Sequence, residues 1–338
     1  MPKQKHILVI RLSAMGDVAM TVPVLRALTY QYPSLKITVL TRAFFAPFFR
    51  DLDRVEVFSA NVKGEHKGFL GLYKLANTLN KEQFYEVADL HNVLRSKVLK
   101  KFINWKHFSA IDKGRNEKKQ LISGDIFNQL KTTHQRYADV FKGLGYNVDL
   151  SNPSFPVRTN LCPKLQAKLG DKSIKIIGIA PFAAHEGKMY PLNLMKLVIE
   201  KLSQNYKVVL FGGGTNEKKI LAKFEDNFEN TINLAGKLSL DEEMDVISNL
   251  DVMLAMDSGN AHIAAMLGVK VITIWGVTHP YAGFAPFNQP EHYALTPDRS
   301  IFPLIPTSVY GNKYPEKYRE ASGSIAPDAV VDKIESVI

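Results

Sequence analysis

The sequence predicts an α/β protein built from two doubly wound parallel sheets in tandem. Short apolar runs alternate with amphipathic helical stretches through both halves of the chain, the order expected of βαβ units. An aperiodic stretch, Asn147-Val-Asp-Leu-Ser-Asn-Pro-Ser-Phe-Pro-Val-Arg158, separates two such series. With 338 residues and 46% hydrophobic content, the chain also exceeds what a single core usually supports.

In the first series Ile7–Ile10, Ile37–Thr41, Val55–Phe58, Val87–Leu90 and His107–Ile111 read as short buried strands. Between them Val18–Tyr30 and Phe69–Asn80 carry helical periodicity. The second series restarts at Lys175–Ala180 and continues through Tyr206–Phe211, Thr231–Leu234, Val252–Met256 and Val269–Trp275. The end, from Pro327 to Ile338, reads as an amphipathic helix after a loop rich in Tyr, Pro and Gly. The expected division is residues 1–160, residues 161–325 and a C-terminal helix at 326–338. A cleft is expected between the two domains, because open α/β sheets bind ligands at the carboxyl ends of their strands.

Composition narrows the function classes. A single Cys162 excludes a disulfide framework and any cysteine-based metal cluster, and agrees with a reducing cytoplasm. The apolar run His6–Ile10 follows a basic start but is broken at Arg11, too short for a signal peptide. No run approaches the roughly 18 uncharged apolar residues of a membrane span. The net charge of +10 lies wholly in the first half: residues 1–160 hold 25 Lys and Arg against 13 Asp and Glu, and residues 161–338 hold 18 against 20. It is densest from Arg95 to Lys119, where Lys97, Lys100, Lys101, Lys106, Lys113, Arg115 and Lys118 interleave with Phe102, Trp105 and Phe108. Such a patch attracts nucleic acid, an acidic membrane or a phosphorylated substrate, or is an ordinary solvated face.

Four segments gather polar groups at strand ends. Asp251–Gly276 reads as strand, polar turn, Ala-rich helix and strand, with Asp257, Ser258, Gly259 and His262 at its upper edge. Unpaired N–H groups and the helix dipole there suit an anion, most simply a phosphate. Alternatively Asp257 or Ser258 caps the helix and His262 is a core or surface histidine. Pro181–Pro191 puts Lys188 before a proline-started helix, where it can bond a departing phosphate. Phe211–Glu217 offers Gly212 and Gly213 for close approach and Glu217 at a helix start. Ile10–Val18 sets Gly16 and Asp17 at another helix start, so Asp17 is either a general base or a cap. The absence of G-x-G-x-x-G and G-x-x-x-x-G-K-[ST] argues against hydride-transfer and P-loop chemistry.

Taken in order, Ile10-Arg-Leu-Ser-Ala-Met-Gly-Asp-Val18, Lys188-Met-Tyr-Pro191, the glycine loop with Glu217, and Asp257-Ser-Gly-Asn-Ala-His262 resemble the bacterial heptosyltransferases, glycosyltransferase family 9. The likeness runs from about residue 5 to about residue 280. It implies a GT-B fold of two Rossmann-like domains, the first for the acceptor and the second for a nucleotide sugar. It also implies metal-independent, inverting transfer from ADP-heptose to the lipopolysaccharide inner core, at the cytoplasmic face of the inner membrane. No cofactor and no metal site are expected. The resemblance makes Asp17 the general base and Lys188 the group that neutralises the leaving diphosphate. Donor contacts then fall to Gly212, Gly213, Glu217 (ribose), Leu238 (backbone beside adenine), Asp257, Ser258, Gly259 and His262. Arg11, Met15 and Gly16 flank Asp17 on the acceptor side.

Departures bear on the substrate. Ala183 and Ala184 stand where family members carry hydroxyl residues toward the donor phosphates, and Tyr190 replaces the commoner Trp. Another nucleotide sugar, a non-catalytic GT-B binding module, or a GT-B epimerase or phosphorylase are the alternatives. On the acceptor side, His91 and Arg95 either meet phosphate or sugar-acid groups, or are a satisfied strand-end histidine and a solvated helix residue. The basic patch fits an enzyme that takes a phosphorylated glycolipid from an anionic bilayer rather than nucleic acid.

Overall fold

A computed structural model describes residues 5–170 and 173–338; the basic start at Lys3 lies outside them. Two compact units result. One contains the chain up to Lys113 together with Thr133–Ser154, and the other contains Gly114–Thr132 and Phe155–Ile338.

The first unit holds β1 (His6–Ile10), β2 (Lys36–Thr41), β3 (Val55–Ser59), β4 (Glu86–Asp89) and β5 (His107–Ala110). They form one parallel sheet in the order β3-β2-β1-β4-β5. Every residue of β1 is buried, as expected of a central parallel strand covered on both faces. Ile10 pairs with Leu40 on one side and Asp89 on the other, so residues 11 and 90 leave the sheet at one edge. The winding reverses between β1 and β4, which makes that edge the topological switch point. The helix expected at Val18–Tyr30 is two helices, α1 (Met15–Ala19) and α2 (Thr21–Gln31). Pro23 has no N–H to give the Ala19 carbonyl and its ring would crowd it, while the Thr21 hydroxyl donates to the Val18 carbonyl at 2.7 Å. Two further helices, α3 (Gly68–Asn80) and α4 (Leu94–Phe102), cover the sheet with Leu72, Leu75, Leu79 and Leu99 in its core.

The chain then enters the second unit through α5 (Arg115–Ser123) before returning as α6 (Thr133–Lys142). The sequence-based boundary near residue 160 does not include this excursion. Its cause is apolar: Leu121 and Leu130 are buried with Ala282, and the Leu130 N–H donates to the Tyr281 carbonyl at 2.9 Å. Lys118 is likewise buried, its ammonium 4.0 Å from the centre of the Phe284 ring. The basic patch read from the sequence is thus divided. Lys97, Lys100, Lys101 and Lys106 belong to the first unit, and Arg115, Lys118 and Lys119 to the second.

After α7 (Pro163–Leu169) the second unit repeats the first. Its strands are β6 (Ile176–Ala180), β7 (Lys207–Leu210), β8 (Thr231–Asn233), β9 (Val252–Met256), β10 (Lys270–Ile274) and the two-residue β11 (Ala294–Leu295). They are parallel in the order β11-β10-β9-β6-β7-β8, with the reversal between β6 and β9. Around them lie α8 (Leu192–Leu202), α9 (Thr215–Asn227), α10 (Leu240–Ser248) and α11 (Gly259–Met266). The tail helix, α12 (Pro327–Glu335), is no separate element: Val330, Val331, Ile334 and Val337 lie in the same core as Ile199 and Leu210. Truncating Ile334, which is fully buried there, to Ala is expected to cost about 2–5 kcal/mol in urea unfolding. Asp328→Ala, on the exposed face of α12, is expected to stay within about 0.5 kcal/mol of wild type.

Candidate active site

Each switch point carries a buried cation paired with a carboxylate. In the first unit Arg11 follows the end of β1 and is 6% exposed. Its Nη1 donates to the Leu90 carbonyl at 2.7 Å, and its Nη2 lies 2.5 Å from Asp17 Oδ2. Tyr137 on α6 lies beneath the guanidinium, 5.9 Å from ring centre to Cζ, and its hydroxyl donates to the Asp17 carbonyl at 3.2 Å. Asp17 Oδ2 also accepts the Ala14 N–H at 3.3 Å, so the carboxylate caps the short α1 while bonding Arg11. Both side-chain contacts of Asp17 fall on Oδ2, and no hydrogen bond to Oδ1 is seen among the described residues. Met15 and Gly16, on the same turn, are half-buried.

Asp89 ends β4 and its Oδ1 accepts the N–H groups of His91 and Asn92 at 2.9 and 2.8 Å. That bond folds the turn so that His91 is buried beside the Arg11 site, with Nδ1 lacking a hydrogen-bond partner. Burial, reinforced by the charges of Arg11, Lys113 and Arg95 against the opposing pull of Asp17, pushes its pKa down to about 3. His91 is therefore a neutral imidazole at neutral pH. Arg95, in the first turn of α4, is half-buried.

In the second unit Lys188 ends a short 3₁₀ turn, Glu186–Lys188, after β6. Its Nζ sits 2.7 Å from Asp257 Oδ2 and 3.4 Å from the Asp257 carbonyl, and both side chains are largely buried. The Thr278 hydroxyl donates to the same Oδ2 at 3.0 Å. Three glycines make room for the lysine. A Cβ on Gly276 would come within 2.1 Å of the Gly187 carbonyl oxygen, one on Gly187 within 2.8 Å of the Gly311 carbonyl oxygen, and one on Gly311 within 2.5 Å of Lys188 Cγ. The Val277 N–H, donating to the Gly187 carbonyl at 2.7 Å, locks these loops together.

Neither Asp257 nor Ser258 acts as a side-chain cap for α11. Asp257 is held by Lys188 and Thr278, and Ser258, at the N-cap position, has a buried Oγ with no hydrogen-bond partner. The first N–H groups of α11, from Gly259 onward, meet no capping side chain there. His262 lies one turn on and is 7% exposed.

Glu217 is different. Its Oε2 accepts the N–H groups of Gly213 and Gly214 at 2.8 and 3.0 Å, so these amides are engaged by the helix's own acid rather than open to a phosphate. Gly212 lets that carboxylate in, since a Cβ there would stand 3.2 Å from Oε2, whereas Gly213 faces open space. Leu238 is half-buried in the turn between β8 and α10. Ala183 packs on the core, while Ala184 and His185 are exposed. Tyr190 is structural: its buried hydroxyl donates to the Ile325 carbonyl at 2.6 Å, and burial pushes its pKa up to about 12.

A family model described as glycosyltransferase family 9 (heptosyltransferase) matches residues 72–295, well over half of the chain. The chain belongs to glycosyltransferase family 9. Among curated relatives it is 25% identical to lipooligosaccharide heptosyltransferase 2 of Haemophilus influenzae, over 98% of this chain and 99% of that protein. It is 25% identical to lipopolysaccharide heptosyltransferase 2 of Escherichia coli, over 81% and 83%. Among solved structures, a family 9 glycosyl transferase from Veillonella parvula superposes with a TM-score of 0.75 at 18% identity, covering 100% of this chain and 98% of that one. The E. coli heptosyltransferase WaaC with ADP gives 0.74 at 18%, covering 98% and 100%. The fold class is thus GT-B, and the protein is a glycosyltransferase.

Thr278, Gly276, Gly311 and Tyr137 set the geometry of this glycosyltransferase's two charged sites and were not singled out from the sequence. A Thr just past the end of β10 was a usable signal; Gly311 and Tyr137 carry none that is local. Because Ser258 Oγ makes no cap bond, Ser258→Ala is expected to leave the urea midpoint unchanged, where a true N-cap would cost about 1 kcal/mol. Acid stability tests the buried imidazoles. His91 and His279 have folded pKa values lowered to about 3 and about 4, both chiefly by burial. As pH falls below about 6.5 the unfolded chain binds protons that these folded histidines do not. Stability should therefore drop between about pH 6.5 and pH 4, by about 1.4 kcal/mol per pH unit for each. His91→Gln is expected to flatten that slope in denaturation curves taken across the range.

Proposed function

We propose that the protein transfers heptose from ADP-heptose to the inner core of lipopolysaccharide or a related glycolipid, with inversion and without a metal. The observation that carries this reading is the Lys188–Asp257 pair beside the unpaired Ser258 Oγ and the uncapped N-terminus of α11, all at the switch point of the second sheet. A diphosphate supplies the acceptor oxygens that this arrangement lacks. Curated relatives bear the name lipopolysaccharide heptosyltransferase, and solved neighbours were crystallised with ADP and with ADP-2-deoxy-2-fluoro heptose, which supports the donor.

In this reading Asp17 accepts the proton of the acceptor hydroxyl through Oδ1, while Arg11 and the Ala14 N–H hold Oδ2 still. The acceptor oxygen bonds the anomeric carbon as the bond from that carbon to the diphosphate oxygen breaks. Lys188, the Ser258 hydroxyl and the N–H groups of α11 from Gly259 then stabilise the negative charge that ADP gains. An ammonium has three donors. Asp257 takes one at full strength, so Lys188 keeps donor capacity for phosphate. Glu217 bonds the ribose through Oε1, since Oε2 is engaged, and the backbone at Leu238 meets the adenine. Asp257 and His262 line the sugar, while Met15, Gly16, His91 and Arg95 complete the acceptor side. The proposed address is the cytoplasmic side of the inner membrane. Among the described residues, no helix is long and apolar enough to cross a membrane.

Calorimetric titration with ADP, UDP, GDP and CDP in the absence of metal is expected to show preference for ADP; a preference for another base overturns the named donor. Asp17→Asn should lower kcat by about 10²- to 10⁴-fold while the dissociation constant for ADP stays near wild type. Turnover equal to wild type would leave Asp17 as a helix cap and nothing more.

A further inference from the structure

We propose that the α3–α4 face of the first unit is a docking surface for an anionic lipid bilayer. The proposal deepens the preceding reading, in which the acceptor is a glycolipid. Exposed apolar side chains cluster at the start of both helices. Phe69, Leu70 and Leu94 are 62%, 74% and 80% exposed, and Tyr73 and Trp105 are 46% and 41% exposed. Such side chains in water are unfavourable unless something covers them.

The two helices present one continuous surface. The rings of Phe69 and Tyr73, four residues apart on α3, both make T-shaped contacts with the Phe102 ring on α4, at 5.2 and 5.3 Å between ring centres. On α4, Leu94, Lys97 and Lys101 form a stripe at helical spacing next to Val98 and Phe102. The Asn80 side chain ties the helices further, donating to the Phe102 carbonyl at 2.9 Å and accepting the Asn104 N–H at 2.8 Å. An open depression of about 690 Å³ on this face is lined by Lys97, Lys100, Lys101, Ile103, Asn104 and Trp105. Lys100 lies over the Phe108 ring at 3.8 Å, and the Trp105 indole N–H donates to the Lys100 carbonyl at 3.2 Å, so the rim is ordered.

Charge selects the occupant. Residues 66–81 contain three lysines and no acid, and residues 90–111 contain five Lys and Arg and no acid. Basic side chains interleaved with exposed Phe, Leu and Trp match a membrane surface, where lysines bond phosphate headgroups and the apolar tips enter the acyl boundary. Nucleic acid would use the lysines and Trp105 but would leave Leu70 and Leu94 uncovered.

The test is flotation of the purified full chain with phosphatidylglycerol-rich vesicles and with pure phosphatidylcholine vesicles, at low and high salt. Two variants on exposed positions accompany it, Lys97→Glu with Lys101→Glu, and Phe69→Ser with Leu70→Ser. The wild type is expected to bind the anionic vesicles in a salt-sensitive way and the neutral ones weakly. Charge reversal should reduce the partition coefficient by at least about tenfold. The serine pair should weaken binding while preserving its salt sensitivity. All three proteins should bind ADP alike. Failure of the wild type to float with anionic vesicles, flotation of both variants like wild type, or preference for a single-stranded oligonucleotide over vesicles would overturn the proposal. Vesicle binding requires no donor. Loss of ADP preference with intact flotation would therefore sink the donor assignment and leave the docking surface standing.

Discussion

The Lys188–Asp257 ion pair is the interaction on which the second unit's site depends. A buried ammonium without a partner is costly, and so is a buried carboxylate; side by side, with the Thr278 hydroxyl on the shared oxygen, each offsets the other. The pair also bridges the switch point of the sheet. Asp257 directly follows β9 and Lys188 follows the loop after β6, so the bond joins the two strands flanking the switch point. Gly187, Gly276 and Gly311 follow from this constraint, because the lysine stem fits only where three backbone segments approach without a Cβ. Replacing Lys188 therefore removes more than a positive charge: it strands Asp257, so a loss of rate in such a variant mixes chemistry with local collapse.

Arg11 and Asp17 occupy the same topological position in the first unit, with a different result. There the carboxylate is the more exposed partner and the guanidinium the buried one, held also by the Leu90 carbonyl and the Tyr137 ring. In the second unit the cation is the more exposed member. One βαβ device thus leaves the carboxylate more open at the first site and the carboxylate-paired ammonium more open at the second. The roles proposed for Asp17 in proton acceptance and for Lys188 in leaving-group neutralisation rest on that division.

Much of the architecture was legible because parallel strands buried on both faces read as uninterrupted apolar runs. The elements read at Ile7–Ile10 and Val252–Met256 correspond to β1 and β9 within a residue. The split between α1 and α2 was also written in the chain, as Pro23, but the apolar periodicity across Met20 masked it. The excursion of residues 114–132 was not legible. Leu121 and Leu130 look like any amphipathic face, and their partners Tyr281 and Phe284 lie some 150 residues away. In the site, residue types at strand ends pointed to Asp17, Lys188 and Asp257, whereas the bond between Lys188 and Asp257 spans 69 positions and leaves no local pattern. Glu217 shows the reverse: its spacing after the glycines already fitted a helix cap, and the bonds to Gly213 and Gly214 follow that spacing.

The distribution of charge acquires a physical meaning once the elements are known. A net charge of +10 spread evenly would draw nucleotide, lipid and nucleic acid alike. Here the second half is close to neutral, with 18 Lys and Arg against 20 Asp and Glu. In the proposed reading a diphosphate there would be held by placed donors, Lys188, Ser258 Oγ and the α11 amides, rather than by a diffuse field. Such contacts act over about one bond length and discriminate by geometry, whereas the lysines of α3 and α4 act over a Debye length of about 8–10 Å and discriminate only by sign. Lys118 makes the distinction concrete. Counted by sequence it belongs with the α4 lysines, yet it is buried against Phe284 and adds nothing to their surface. The basic apolar face lies on two helices of one unit, and the proposed donor contacts lie at one strand–helix junction of the other.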